Sequence, residues 1–156
     1  MSQSFYSTET KEFDQLDEEA DERLNALWEK FLELKDLGDI DRAEAAARQA
    51  WHALPEPRLS WDYFSNVMPF TFAEWYRDLG RFNMAEQWLA LARESYGPGR
   101  DASVEFLAAT IAYRKGDADA AYAEFDRQYK AFGLAPFKGE DPDYLAFYKA
   151  RAKASK

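Results

Sequence analysis

A Gly that closes a helix, an apolar residue two places on and an Ala five places on recur three times in this chain. The copies read L-K-D-L-G-D-I-D-R-A around Gly38, Y-R-D-L-G-R-F-N-M-A around Gly80 and A-Y-R-K-G-D-A-D-A-A around Gly116. Each offset has a physical reason. Gly takes the left-handed backbone that ends a helix without a Cβ penalty. Ala43, Ala85 and Ala121 let the second helix of each pair cross the first closely, where a larger side chain would hold them apart. Ala47, Leu89 and Phe125 follow nine residues after the Gly, and Ala50, Ala92 and Gln128 twelve after, so each second helix turns one face inward. Such a chain folds as helix–turn–helix units.

The pattern resembles the tetratricopeptide repeat, a helix–turn–helix of about 34 residues with Ala, Phe and Pro at set places. The likeness covers the turn, the Ala and Pro55, while the first helices lack the Leu-Gly pair of that family. Gly-to-Gly intervals of 42 and 36 residues make the copies degenerate and place an insertion at the first junction. The resemblance implies an all-α fold, a short TPR-like helical solenoid of three helix pairs with a C-terminal capping helix.

Helical spacing predicts a first helix from about Asp14 to Asp36, then a second opened by Asp39 or Asp41 and stopped by L-P-E-P after Ala53. In the insertion, R-L-S-W-D-Y-F-S-N-V-M-P, Ser60 is a fair cap for a turn or two of helix. Pro69 is expected to break or kink it, so that the third helix proper starts there and runs to Leu79. Further helices are expected over 83–96, from Asp101 or Ser103 to Lys115, and over 117–132, closed by Gly133. Asp141 before Pro142 caps a seventh helix that turns Leu145 and Tyr148 inward and Asp143 and Lys149 outward. Residues 1–13, polar with isolated Phe5, Tyr6 and Phe13, are expected to be a flexible acidic arm, and 14–156 one helical domain.

Charge and residue inventory narrow the function. The net charge is −9, and residues 1–22 hold eight acids against Lys11, so the other 21 acids and 19 bases leave a nearly neutral body. That arm is either a solubilising tail or a lure for a basic partner. Nucleic acid, which needs a basic surface, is not the expected ligand. There is no Cys, and no apolar run suits a membrane span or a secretion signal, so the expectation is a cytoplasmic protein. His52 is the single histidine and sits at a helix end. One His without Cys supplies neither a zinc site nor a Cys–His pair, and little basis for a Ser–His triad. The G-P-G at 97–99 is a turn rather than a phosphate loop, and pairs such as Glu29/Glu33 and Asp117/Asp119 fall on exposed faces or caps. No metal, cofactor or catalytic residue is expected, and the chain is read as no enzyme.

What remains is a surface. Ten residues before each turn Gly stand Trp28, Phe70 and Phe106; six before are Leu32, Glu74 and Thr110; three before are Lys35, Arg77 and Tyr113. These rings and polar residues either line a concave protein-binding groove or pack between helices. Trp61, Tyr63 and Phe64, on the insertion, form a second candidate patch, either folded back onto the core or exposed for a partner. Two stretches, D-A-D-A-A-Y-A-E-F-D-R-Q-Y-K-A-F-G (117–133) and F-K-G-E-D-P-D-Y-L-A-F-Y-K (137–149), resemble small repeat immunity proteins encoded beside polymorphic bacterial toxins. That resemblance implies a non-catalytic protein that binds and neutralises one toxin domain, a basic one if charge guides the encounter. The alternative is a chaperone or assembly scaffold holding a peptide segment of a client.

Overall fold

The computed structural model describes residues 5–155. Residues 1–4, the start of the expected arm, and Lys156 lie outside the described residues. Among those described there are seven α-helices and no strand: α1 Glu18–Asp36, α2 Ile40–Ala53, α3 Phe64–Asp78, α4 Phe82–Ser95, α5 Ala102–Lys115, α6 Ala118–Phe132 and α7 Pro142–Ala154. None is long and apolar enough to cross a membrane. The contacts sort the chain into two units. One is residues 12–68; the other joins the N-terminal segment up to Lys11 with the chain from Pro69 onward.

The three repeated turns close identically. The amide after each Gly bonds back to a carbonyl five residues earlier: Asp39 to Leu34 at 3.1 Å, Arg81 to Tyr76 at 2.9 Å, Asp117 to Ala112 at 2.8 Å. Each Gly amide bonds the carbonyl three before it, at 3.1, 3.0 and 3.2 Å. This paired closure fills carbonyls that a helix end leaves open. Asp39 and Asp117 then cap the next helix, each carboxylate accepting a backbone N–H at 3.3 Å, whereas Arg81 makes no side-chain cap. Ala43, Ala85 and Ala121 are fully buried, as close crossings require.

In the unit of residues 12–68, α1 starts on Asp17, whose carboxylate accepts from Ala20 N at 2.8 Å. Its buried stripe of Leu24, Trp28, Phe31 and Leu34 belongs to a helix that packs on α2. The buried face of α2 is all alanine, at 43, 46, 47 and 50, so large side chains on one helix meet small ones on the other. The insertion is a 3-10 turn, Arg58–Ser60, tied down by hydrogen bonds rather than a short helix capped by Ser60. The Ser60 hydroxyl donates to Pro57 O at 2.7 Å. Ser65 Oγ accepts from Trp61 N at 2.8 Å and donates to Arg58 O at 2.5 Å. Asp14 N bonds Ser60 O, and Asp62 N bonds Asp14 O, forming a short bridge between the segments.

Pro69 lies inside α3 and does not start it, contrary to the sequence expectation. A mid-helix Pro forfeits one backbone bond and crowds the preceding turn, at roughly 3 kcal/mol. Phe64, Met68 and Phe72, four residues apart and each at most 1% exposed, run through that position. Burying three such side chains contributes about 1.5–3 kcal/mol each, which outweighs the proline.

In the other unit, α5 packs on both α4 and α6. It is accordingly buried on most faces, through Val104, Phe106, Leu107, Ala109, Thr110 and Ile111. Asp141 accepts from Asp143 N at 2.9 Å and Pro142 opens α7. Tyr144, 1% exposed, joins Tyr148 in the core with Phe106, Phe125 and Phe137, and half-buried Leu145 packs against them. The described part of the expected arm is not loose. Tyr6 is buried and its hydroxyl donates to the Glu124 carboxylate. Phe5 stacks under the guanidinium groups of Arg100 and Arg127, 4.1 and 3.7 Å from its ring centroid. Ser7 N donates to Arg100 O at 2.7 Å. The segment carries few apolar residues, but two of them find partners far along the chain.

Candidate functional site

The residues expected to bind a partner are placed very differently. In residues 12–68, Trp28 is 5% exposed, its ring 5.2 Å from that of Phe31. Lys35 pairs with Asp36 at 3.4 Å. The Trp61 indole N–H donates to Pro55 O at 2.8 Å, and Tyr63, at φ 67°, is 56% exposed. In the other unit Phe106 is 5% exposed, its ring 5.3 Å from Phe125 and 5.2 Å from Phe137. Trp28 and Phe106 are thus packed between helices, the alternative left open by the sequence, although Phe106 also lines the groove described below. Phe70 and Glu74 are half-buried. Tyr113 is half-buried too, against Tyr144 and Phe147 at 5.6 and 5.0 Å.

Arg77 is also buried. Its guanidinium donates to Asp78 Oδ1 at 2.9 Å and to Thr110 Oγ1 at 2.8 Å. Asp78 meets Arg114 at 3.5 Å as well, and Arg114 meets Asp141 at 3.2 Å. Desolvation works against the Arg77 charge, but the hydrogen bond and charge of Asp78 prevail and hold its pKa above the ordinary value. Arg77 is thus a structural tie between α3 and α5 rather than a free anchor.

Beside this network lies a groove of about 440 Å³. Phe70 of α3, Phe106 of α5, Phe132 of α6 and Pro136 bound it, with Ser103, Gln128 and Glu140 as polar members. Gln128 is satisfied: its amide donates at 2.8 Å to both Ala102 O and Glu124 Oε2. Among the described residues none makes a hydrogen bond or ion pair with the Glu140 carboxylate. Burial pushes that carboxyl above its usual range; Asp78 adds to the effect and Arg77 opposes it. Phe132 and Leu134, 46% and 47% exposed, extend apolar surface at the end of α6.

Phe132, Leu134, Pro136 and Glu140 were not singled out by the sequence. One signal was there: apolar residues on both sides of Gly133, which differs from the three repeated turns. Its amide bonds Tyr129 O at 2.8 Å with φ 67° and ψ −133°, and the chain leaves α6 without the paired closure.

A second cleft of about 470 Å³ crosses α4, α5 and α6. Its charges answer one another: Arg93 meets Glu105 through two bonds of 2.9 Å, Arg127 meets Glu124 at 2.6 Å and Lys115 meets Glu86 at 2.5 Å. Asp117 lines it too, with its carboxylate capping α6, so no acid there lacks a hydrogen bond or ion pair and the cleft is the weaker candidate. Among the described residues no three His, Cys, Asp or Glu side chains cluster as metal ligands. Protein-family models, curated proteins and solved structures were all compared with the chain, and none matches. Fold and groove together define an all-helical protein with one apolar, singly charged groove.

Proposed function

We propose that the chain is a non-catalytic, TPR-like protein-binding module, and that it acts in the bacterial cytoplasm as an immunity protein neutralising a cognate toxin domain. The carrying observation is the groove, where half-buried Phe70 and exposed Phe132 flank an unmatched carboxylate. The three identical turn closures support the repeat reading. The two stretches that resemble immunity proteins build α6 and α7, and Phe132 and Glu140 fall within them. An acidic protein would be drawn to a basic toxin domain before contact.

The test is growth protection. Co-expression with the toxin encoded by the adjacent gene should restore growth, and Phe132→Asp should abolish the rescue while leaving helical content unchanged. Absence of protection by the wild-type chain sinks the immunity reading. One observation favours a peptide-holding chaperone instead: about 440 Å³ suits a short segment better than a folded domain. The footprint separates the two. Hydrogen-exchange protection over a standard interface of roughly 1,600 Å² fits the toxin domain, and protection confined to the groove fits the chaperone.

A further inference from the structure

Glu140 stands apart from the acids around it. In the same unit, Asp78 and Asp141 meet Arg77 and Arg114, Glu105 meets Arg93, and Glu124 meets Arg127. Arg77 and Arg114 are thereby balanced by Asp78 and Asp141, and the charge left over at the groove is that of Glu140. It sits half-buried on a groove whose other walls are mostly rings and small apolar side chains, with the uncharged Ser103 and Gln128 among them. A carboxylate withdrawn from water without a partner costs the fold stability. A cation with an aliphatic stem would answer both features at once, its stem on the rings and its head on the acid.

We propose that the groove receives one Arg or Lys side chain projecting from an otherwise apolar segment of the partner protein, paired with Glu140 and packed against Phe70 and Phe132. The inference rests on the protein-binding reading above and names the chemistry of the segment bound. Leu134, exposed next to the groove, gives the residues flanking that cation an apolar surface to lie on. A free small cation would use none of it.

The test uses two blocked pentapeptides, acetyl-Ala-Leu-Arg-Leu-Ala-amide and the same peptide with neutral citrulline for Arg, titrated into the isotopically labelled full chain and followed by amide NMR shifts. The arginine peptide should move the signals around Phe106, Phe132 and Glu140 and bind roughly tenfold tighter than the citrulline peptide, or more. Glu140→Gln, on a loop between helices, should keep the folded spectrum and erase that ratio. Equal affinity of the two peptides, or an unchanged ratio in Glu140→Gln, overturns the cation while leaving the protein-binding reading intact. Shifts on another face, or no shifts from either peptide, overturn the site itself, and growth protection then decides the wider reading independently. Concentration-dependent dimerisation that moves the same signals without peptide would assign the groove to a second copy of this chain, again overturning the inference.

Discussion

The turns at Gly38, Gly80 and Gly116 and the turn at Gly97–Gly99 use the same left-handed backbone in different surroundings. A Cβ built on any of the first three would meet nothing within 4 Å. A Cβ on Gly97 would lie 2.9 Å from Lys11 Cβ, and one on Gly99 2.6 Å from Ser7 Cβ. The repeated turns need glycine for the local dihedral alone. The second turn needs it also because the N-terminal segment lies directly on it. The comparison separates a residue chosen by its own backbone from one chosen by a neighbour about ninety positions away.

The largest expected effect breaks that second role. Gly99→Ala adds the left-handed penalty and lifts the segment that buries Tyr6, for a loss of about 2–4 kcal/mol in urea denaturation. In a chain lacking residues 1–11 the same substitution should cost only about 1–2 kcal/mol, the dihedral term alone. An equal cost in both backgrounds would mean that the segment is not what makes Gly99 necessary. Gly116→Ala should cost about 1–2 kcal/mol in either background, since nothing lies over it. If removing residues 1–11 changes that value, the two turns are coupled and the distinction fails.

Smaller effects sharpen it. Asp117→Ala removes the carboxylate that caps α6, for about 1 kcal/mol, again independent of the N-terminal segment. Tyr6→Phe removes the hydroxyl bond to Glu124, which keeps Arg127 and Gln128, so the loss should also stay near 1 kcal/mol. Its pH dependence is diagnostic. Burial first, then the bond and charge of Glu124, raise the Tyr6 hydroxyl above its ordinary 10.0. The folded state then holds a proton that the unfolded state releases, so this contribution is complete below pH 10 and declines as pH rises beyond it. Thermal melts across that range should show a shallower alkaline decline in Tyr6→Phe. Some decline will remain, because Tyr148, buried and bonded to Asp126, is raised as well.

Helix ends were legible because their causes lie within a few residues. Gly38, Gly80 and Gly116, the capping Asp39, Asp117 and Asp141, and Pro142 all act on backbone groups of their own turn. Pro69 misled for the complementary reason. Its cost is local, while the burial of Phe64, Met68 and Phe72 that offsets it comes from the whole fold. The groove was half legible: the repeat offsets pointed to Phe70 and Phe106, but not to which ring stays accessible.

From the sequence alone came the all-helical class, the positions of most turns and the inward-facing alanines 43, 85 and 121, since these follow from dihedral preference, capping and residue size. Tertiary structure decided which of several similar rings became core and which became surface. Phe106 and Phe132 are the same side chain on neighbouring helices, yet one is 5% exposed and the other 46%. Phe106 is enclosed by Phe125, Phe137 and Tyr144, while Phe132 sits in the last turn of α6 where the chain departs at Gly133. Burial depends on what packs from distant parts of the chain, and no spacing rule within one helix encodes it.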